Sequence, residues 1–371
     1  FWIWRSDEEA EKRRKGMNKV IKLTIPLFAC LGLLTISGCD QDDVTTKKDM
    51  ITGIVMETQP NKTYYLKNEV LEVEGATIAV QYSQKEDVIV PVTIDMVSSV
   101  DMSTPGEKQP MVTYKKDNME YTTSFKITVA DYVDVTTEEE LTQAIENASK
   151  DVAIHLKKKE TPYNMHHLEI DKSLTLIGEK DATIQVDSDA ISGQAGVYIK
   201  ASDVSLKQLT IEMNGNTLHA LKVSSNGTEK LDNILLESIT MEGGKGLNIH
   251  KADTTLKDCV INVDETTKSV ALSIASSNVT IEDCTIYHGS WGSIGLMHKV
   301  VDQDAPDYDE VTQMYPGNGK VTFKGDNTIS GHVYIEYSEA SKNTIENLGW
   351  ETILQGTTLI YWNPDIEKPT A

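Results

Sequence analysis

The chain has 371 residues, with 57 acidic side chains against 35 basic ones and a formal net charge of −22. So large an acidic surplus argues against nucleic acid as a partner, and against any polyanionic polymer unless calcium bridges the two. The arginines are Arg5, Arg13 and Arg14 only, so an arginine-dependent mechanism is excluded for everything that follows them.

Residues 1–16 match nothing downstream and read as non-native upstream translation, with Met17 as the natural start. Glu11-Lys12-Arg13-Arg14-Lys15-Gly16 is what a purine-rich ribosome-binding sequence gives when read as codons. A genuine N-terminal extension is the alternative. From Met17, Lys19 and Lys22 precede an apolar run from Leu23 to Ile36, the pattern of a secretion signal over 17–38. The run is shorter than the roughly 20 residues needed to span a bilayer. It ends Leu34-Thr35-Ile36-Ser37-Gly38-Cys39, which resembles the bacterial lipobox. That resemblance implies lipid on Cys39, a membrane as partner and a lipid-anchored, surface-exposed place in a bacterial envelope. Each buried acyl methylene would add about 0.8 kcal/mol of membrane affinity. Residues 39–49 then read as lipidated Cys and tether. Asp40-Gln41-Asp42-Asp43 resembles surface-export signals of some Gram-negative gut bacteria, or is plain spacer.

Residues 50–130 alternate short strands with turns: Ile51–Glu57, Thr77–Tyr82, Ile89–Ile94, Met111–Tyr114 and Thr122–Val129. Strands at this spacing predict a β-sandwich. Pro60-Asn61-Lys62-Thr63-Tyr64-Tyr65, Gly75 before Ile78 and Tyr82, Asp101-Met102-Ser103-Thr104-Pro105-Gly106-Glu107-Lys108 and Phe125-Lys126-Ile127-Thr128-Val129 resemble bacterial immunoglobulin-like domains. That implies a stalk, spacer or binder.

Residues 131–371 open with a helix that Val135-Thr136-Thr137-Glu138-Glu139-Glu140-Leu141 begins and that runs to about Ser149, with a Thr N-cap, Glu in the first turn and Leu141, Ala144, Ile145 and Ala148 on one face. Two apolar patterns then alternate. One reads Val197-Tyr198-Ile199, Leu221-Lys222-Val223, Leu247-Asn248-Ile249, Leu272-Ser273-Ile274 and Leu296-Met297-His298, with starts 24, 26, 25 and 24 residues apart. The other begins at Leu206, Leu236, Leu256 and Ile281. Repeats of this length built from period-two strands predict stacked coils around one core. Equivalent positions on successive coils then sit about 4.8 Å apart. Lys207, Glu237, Lys257 and Glu282 form one outward column of alternating sign, which reads as structural. Cys259 and Cys284 are equivalent inward positions, expected as reduced core thiols although their spacing permits a disulfide. The order of capping helix, Val152–Leu156, Tyr163, Leu174–Gly178 and the later coils resembles the right-handed parallel β-helix of the pectin-lyase-like superfamily. The expected fold class is therefore all-β: an immunoglobulin-like sandwich, then a right-handed parallel β-helix with an N-terminal capping helix.

Val300–Gly319 breaks the repeat. Its Asp302, Asp304, Asp307 and Asp309 are candidate calcium ligands, though a solvated acidic loop fits them better, and no other cofactor is expected. Trp350, Tyr361 and Trp362 are expected to close the far end of the core.

The resemblance brings polysaccharide lyases and hydrolases into view. A lyase needs a base and a positive charge for the uronate carboxylate. A glycoside hydrolase needs two carboxylates across the scissile bond. The outward columns hold Tyr198, Lys222, Asn248, Ser273 and Met297, then Lys200, Ser224, His250, Ala275 and Lys299, with no carboxylate pair. The candidate ligand-binding residues are Tyr198, Lys200, Lys222, Asn248 and His250, and no catalytic residue is assigned. His166-His167 is a second, lesser candidate in a turn. The expectation is non-catalytic adhesion, with polysaccharide or a host or cell-surface protein as ligand. A calcium- or lysine-dependent polysaccharide lyase is the alternative, and a structural envelope protein the second alternative.

Overall fold

The computed structural model describes residues 49–187, 195–215, 218–225, 229–297, 320–336, 354 and 357–362. The signal, most of the tether with Cys39, the acidic loop with Asp302, Asp304, Asp307 and Asp309, and Trp350 lie outside these residues. Among the described residues the regular structure is nearly all strand, with long parallel sheets as a parallel β-helix requires.

The first β layers lie between Met50 and Ala130. Ile51–Thr58, Thr77–Tyr82 and Val88–Pro91 form a three-stranded antiparallel sheet. Met111–Lys116 and Met119–Ser124 form a hairpin. Its turn residues Asp117 and Asn118 both take left-handed φ, 52° and 63°, the twist that a two-residue hairpin loop favours. Ile54, Ile78 and Val80 face Tyr65, Val112, Phe125, Ile127 and Val129 across one core. The single strand expected over Thr122–Val129 is instead two. The chain breaks at Phe125-Lys126, where it leaves the hairpin and turns the Phe125 ring into the core. Likewise the strand expected over Ile89–Ile94 stops at Pro91, and Ile94–Met96 is a 3₁₀ turn.

Ile127–Val135 does not end with this layer. Its first half pairs with Tyr64–Leu66 and Gly106–Lys108, and its second half pairs in parallel with Val152–Leu156 of the next coil. The division expected at 130/131 falls inside this strand. Leu66, Ala130, Ala153 and Ile177 bury one small cluster there, with Tyr64 against it.

The helix Glu138–Glu146 follows and covers the open end of the coil. Thr137 starts it with a reciprocal cap: the Glu140 amide donates to the Thr137 hydroxyl at 3.1 Å, and the Thr137 amide donates to the Glu140 carboxylate at 3.2 Å. Leu141 and Ile145 turn into the core, and the buried Tyr163 hydroxyl sits 2.7 Å from the Lys157 carbonyl.

Three parallel ladders then wind around a shared aliphatic core. The first includes Leu174–Gly178, the starts of Val204–Asn214 and Leu231–Gly243, Ala252–Lys257, Val279–Glu282 and Val321–Lys324. The second includes Thr183–Asp187, the ends of those two long strands, Val260–Asn262 and Thr285–Ile286. One left-handed residue makes the corner between them: Gln208, Ser238, Asp258 and Asp283, with φ from 51° to 55°. That single residue turns the chain without a loop: the two long strands cross the corner unbroken, and the later coils resume pairing two residues after it. The third ladder is an eight-stranded sheet running from Leu168–Ile170 to Thr358–Trp362. Leu221, Val223, Leu247, Ile249, Leu272 and Ile274 point inward from it and are fully buried. Tyr361 packs against the same core near the far end, as expected of it.

One expected repeat is corrected. Leu272 pairs with Ile294 and Ile274 with Leu296, so the fifth unit is Ile294-Gly295-Leu296 rather than Leu296-Met297-His298. A slip of two residues keeps every side chain on its own face, so alternation alone cannot detect it. Gly295, not Met297, therefore continues the column of Tyr198, and Met297 joins the column of His250.

Candidate functional site

The candidate site is the outward face of the third ladder. Register places Glu169, Tyr198, Lys222, Asn248, Ser273, Gly295 and Tyr334 in one outward column on successive coils. Ser224, His250, Ala275 and Met297 follow in the next outward column, and Lys200 lies one residue beyond Ile199 on the same side. The five candidates thus share one face over three adjacent coils.

Tyr198 is not the exposed platform that its outward position suggests. It is only 6% exposed. Two ammonium groups flank its ring, Lys200 at 4.7 Å and Lys222 at 4.8 Å from the centroid. Both distances suit a cation–π contact. Lys200 also pairs with the Glu169 carboxylate. The Lys200 hydrogen bond holds Glu169 below the usual carboxylate range, against the burial that would raise it. His167 lies beneath the same carboxylate, its Nε2 3.5 Å from Glu169 Oε1 and its Nδ1 2.7 Å from the Ala195 carbonyl.

Lys222 differs from Lys200. Among the described residues no carboxylate lies within ion-pairing distance of it; the Tyr198 ring is its partner. Farther along, Ser224 Oγ lies 3.4 Å from His250 Nδ1. Just before the Lys222 strand, His219 Nδ1 sits 3.2 Å from the Lys245 carbonyl, and burial pushes its pKa down to about 4, with Lys245 and Lys222 adding repulsion. The neutral imidazole then donates from Nδ1 to that carbonyl.

The face offers ammonium donors, an aromatic ring, an amide and an imidazole. It does not offer paired acids among the described residues. Glu169 is held by Lys200, and Glu336 lies six strands away on the same sheet, which is about 29 Å at normal strand spacing. Hydrolytic pairs sit roughly 5–9.5 Å apart. No group of three or more His, Cys, Asp or Glu is placed to hold a metal ion among the described residues. The lesser candidates separate: His166 is an exposed partner of Asp187 at 3.3 Å, whereas His167 belongs to the Glu169 cluster.

Glu169 and Tyr334 were not among the sequence candidates. Leu168-Glu169-Ile170 has the same apolar-polar-apolar form as Val197-Tyr198-Ile199, but its 29-residue spacing breaks the regular period. Val333-Tyr334-Ile335 reads as a resumed coil-like strand, but it follows the long acidic insertion, so its spacing gives no register with the earlier column.

No family model and no curated protein matches the sequence. Among solved structures, the chain is similar to a candidate glycosyl hydrolase from Parabacteroides merdae ATCC 43184, with 12% identity and a TM-score of 0.34. The match covers 53% of this chain and 93% of the other.

Proposed function

We propose that the protein is a lipid-anchored envelope protein that binds neutral glycan, without cleaving it, through the outward face of the eight-stranded sheet. The observation that carries this reading is Lys222, a half-buried ammonium set on the Tyr198 ring with no carboxylate partner among the described residues, in a row with Asn248 and Ser273. Successive coils repeat at about 4.8 Å, so donors and acceptors recur at regular steps along the face. Ammonium and amide groups donate to sugar hydroxyls, and the net charge of −22 repels polyanionic chains at long range. The lipobox-like sequence supports the anchor at Cys39, and the β layers before the helix, with immunoglobulin-like sequence features, serve as stalk.

Residues 50–371, run in native gels containing single polysaccharides, test this reading. Retardation by a neutral glycan without release of shorter products supports it. Release of an unsaturated, ultraviolet-absorbing product from a uronate polymer makes the protein a lyase instead. Lys222 beside Tyr198 is the observation that favours this second reading, since a lysine can supply the positive charge that arginine cannot supply here. No retardation by any glycan leaves a structural envelope role.

A further inference from the structure

Cys259 and Cys284 follow the corner residues Asp258 and Asp283 on neighbouring coils. The residues after them pair directly, Val260 with Thr285 and Ile261 with Ile286. The two cysteines are therefore stacked one strand apart, about 4.8 Å, inside the range of about 4.4–6.8 Å between α-carbons that a disulfide spans. Both point into the core, 1% exposed each, and both are free thiols in this structure. The two thiols lie close enough for each to shift the other's ionisation. Each sulfur also has a fixed backbone neighbour: Cys259 Sγ lies 3.2 Å from the Leu236 carbonyl, and Cys284 Sγ lies 3.2 Å from the Glu282 carbonyl. Asn327 holds the far side, accepting from the Cys284 amide at 2.9 Å and donating to the Lys324 carbonyl at 2.7 Å. The pair thus sits between two ordered coils, with the corner backbone fixed on either side.

We propose that Cys259 and Cys284 are an oxidation site: a small-molecule disulfide converts them into an intramolecular disulfide that staples two consecutive coils. The Cys284 thiolate attacks one sulfur of the small disulfide and releases its other half as a thiolate. The Cys259 thiolate then attacks the Cys284 sulfur of the mixed disulfide and releases the second half. Two protein thiols are oxidised, one small disulfide is reduced to two thiols, and the two protons pass to the released thiolates. Burial pushes the Cys259 thiol up, and the hydrogen bond from Cys259 pulls Cys284 down, so Cys284 is the first attacker. Access comes through opening of the coil or before folding closes it.

The full chain, treated with oxidised glutathione, then alkylated in denaturant and digested after lysine, tests this. The expected product joins residues 258–268 to 269–299, with loss of the free thiols of Cys259 and Cys284 and a rise in Tm that dithiothreitol reverses; Cys30 and Cys39 are followed separately in their own peptide. The Cys284→Ala variant should show neither the cross-link nor the rise. Refolding from denaturant in the same glutathione buffer covers the case in which the folded core excludes the oxidant, and the same cross-link is expected. The proposal is overturned if both cysteines remain alkylatable after refolding, or if they carry only separate glutathione adducts.

Discussion

Two of the three outward faces of the β-helix, the first and third ladders, carry lysines in opposite circumstances. On the first ladder, Lys207 pairs with Glu237, and Lys257 reaches the same carboxylate at 3.2 Å. The register carries the row on to Glu282 and Lys324, and the Tyr64 ring lies 5.2 Å from the Lys207 ammonium. At the centre of that face the Glu237 carboxylate holds both lysines of the neighbouring coils. On the third ladder, Lys200 is answered by Glu169, but Lys222 has an aromatic ring and no carboxylate among the described residues. A face whose charges close among themselves has its hydrogen-bonding capacity spent on the fold. A face that leaves a cation on a ring keeps donors for something else.

The acid response separates the two faces most strongly. His219 lies beside the third ladder, and its pKa in the fold, about 4, is below the ordinary value of about 6.5. The unfolded chain therefore takes up the proton first. The stability contributed by neutral His219 is complete above about pH 6.5 and is lost as pH falls through 4, by about 3 kcal/mol in all. Glu237 on the first ladder is also depressed, by Lys207 and Lys257 against the cost of burial. Its contribution is complete above the ordinary carboxylate value and falls only below about pH 4.5. Urea unfolding across this pH range should show both phases, and His219→Gln should flatten the upper one alone.

A smaller effect is expected from Glu237→Ala. It leaves Lys207, only 7% exposed, without its carboxylate, and should cost roughly 2 kcal/mol in urea unfolding while leaving glycan retardation unchanged. Lys222→Ala should do the reverse: unfolding within about 0.5 kcal/mol of the parent, and affinity for glycan lower by about tenfold in titration calorimetry. The smallest change is Lys257→Ala, which removes the more exposed partner of Glu237 and should cost about 0.5 kcal/mol. If Lys222→Ala unfolds as readily as Glu237→Ala, the two faces are alike and the distinction fails.

Much of this contrast was legible before any coordinates. The Leu-x-Val and Leu-x-Ile triplets announced the coils because inward positions on a period-two strand tolerate little but aliphatic side chains. The Lys207, Glu237, Lys257, Glu282 column was readable although the coils between them run 30, 20 and 25 residues, because each charge directly follows an inward Leu or Ile. Where that local pattern is not distinctive, the sequence does not fix the register. Leu168-Glu169-Ile170 stands 29 residues before its partner Val197, outside the regular period, and Leu296-Met297-His298 lies one pleat beyond the true unit, since a two-residue shift leaves the inward set unchanged. Burial of Tyr198 was not legible at all. Alternation tells which face a side chain leaves from, but not whether two long lysines from the same and the next coil will close over it. The shared strand Ile127–Val135 was hidden for another reason. Phe125 and Lys126 interrupt it on one side, and nothing local marks the point where it passes from one partner to the next.

The most direct test is titration calorimetry of residues 50–371 and of Lys222→Ala against the neutral glycan that retards the parent protein, with the glycan recovered and sized afterwards. The account predicts saturable binding by the parent, about tenfold weaker binding by Lys222→Ala, and glycan of unchanged length from both. Shortened glycan, or equal affinity of the two proteins, would contradict it.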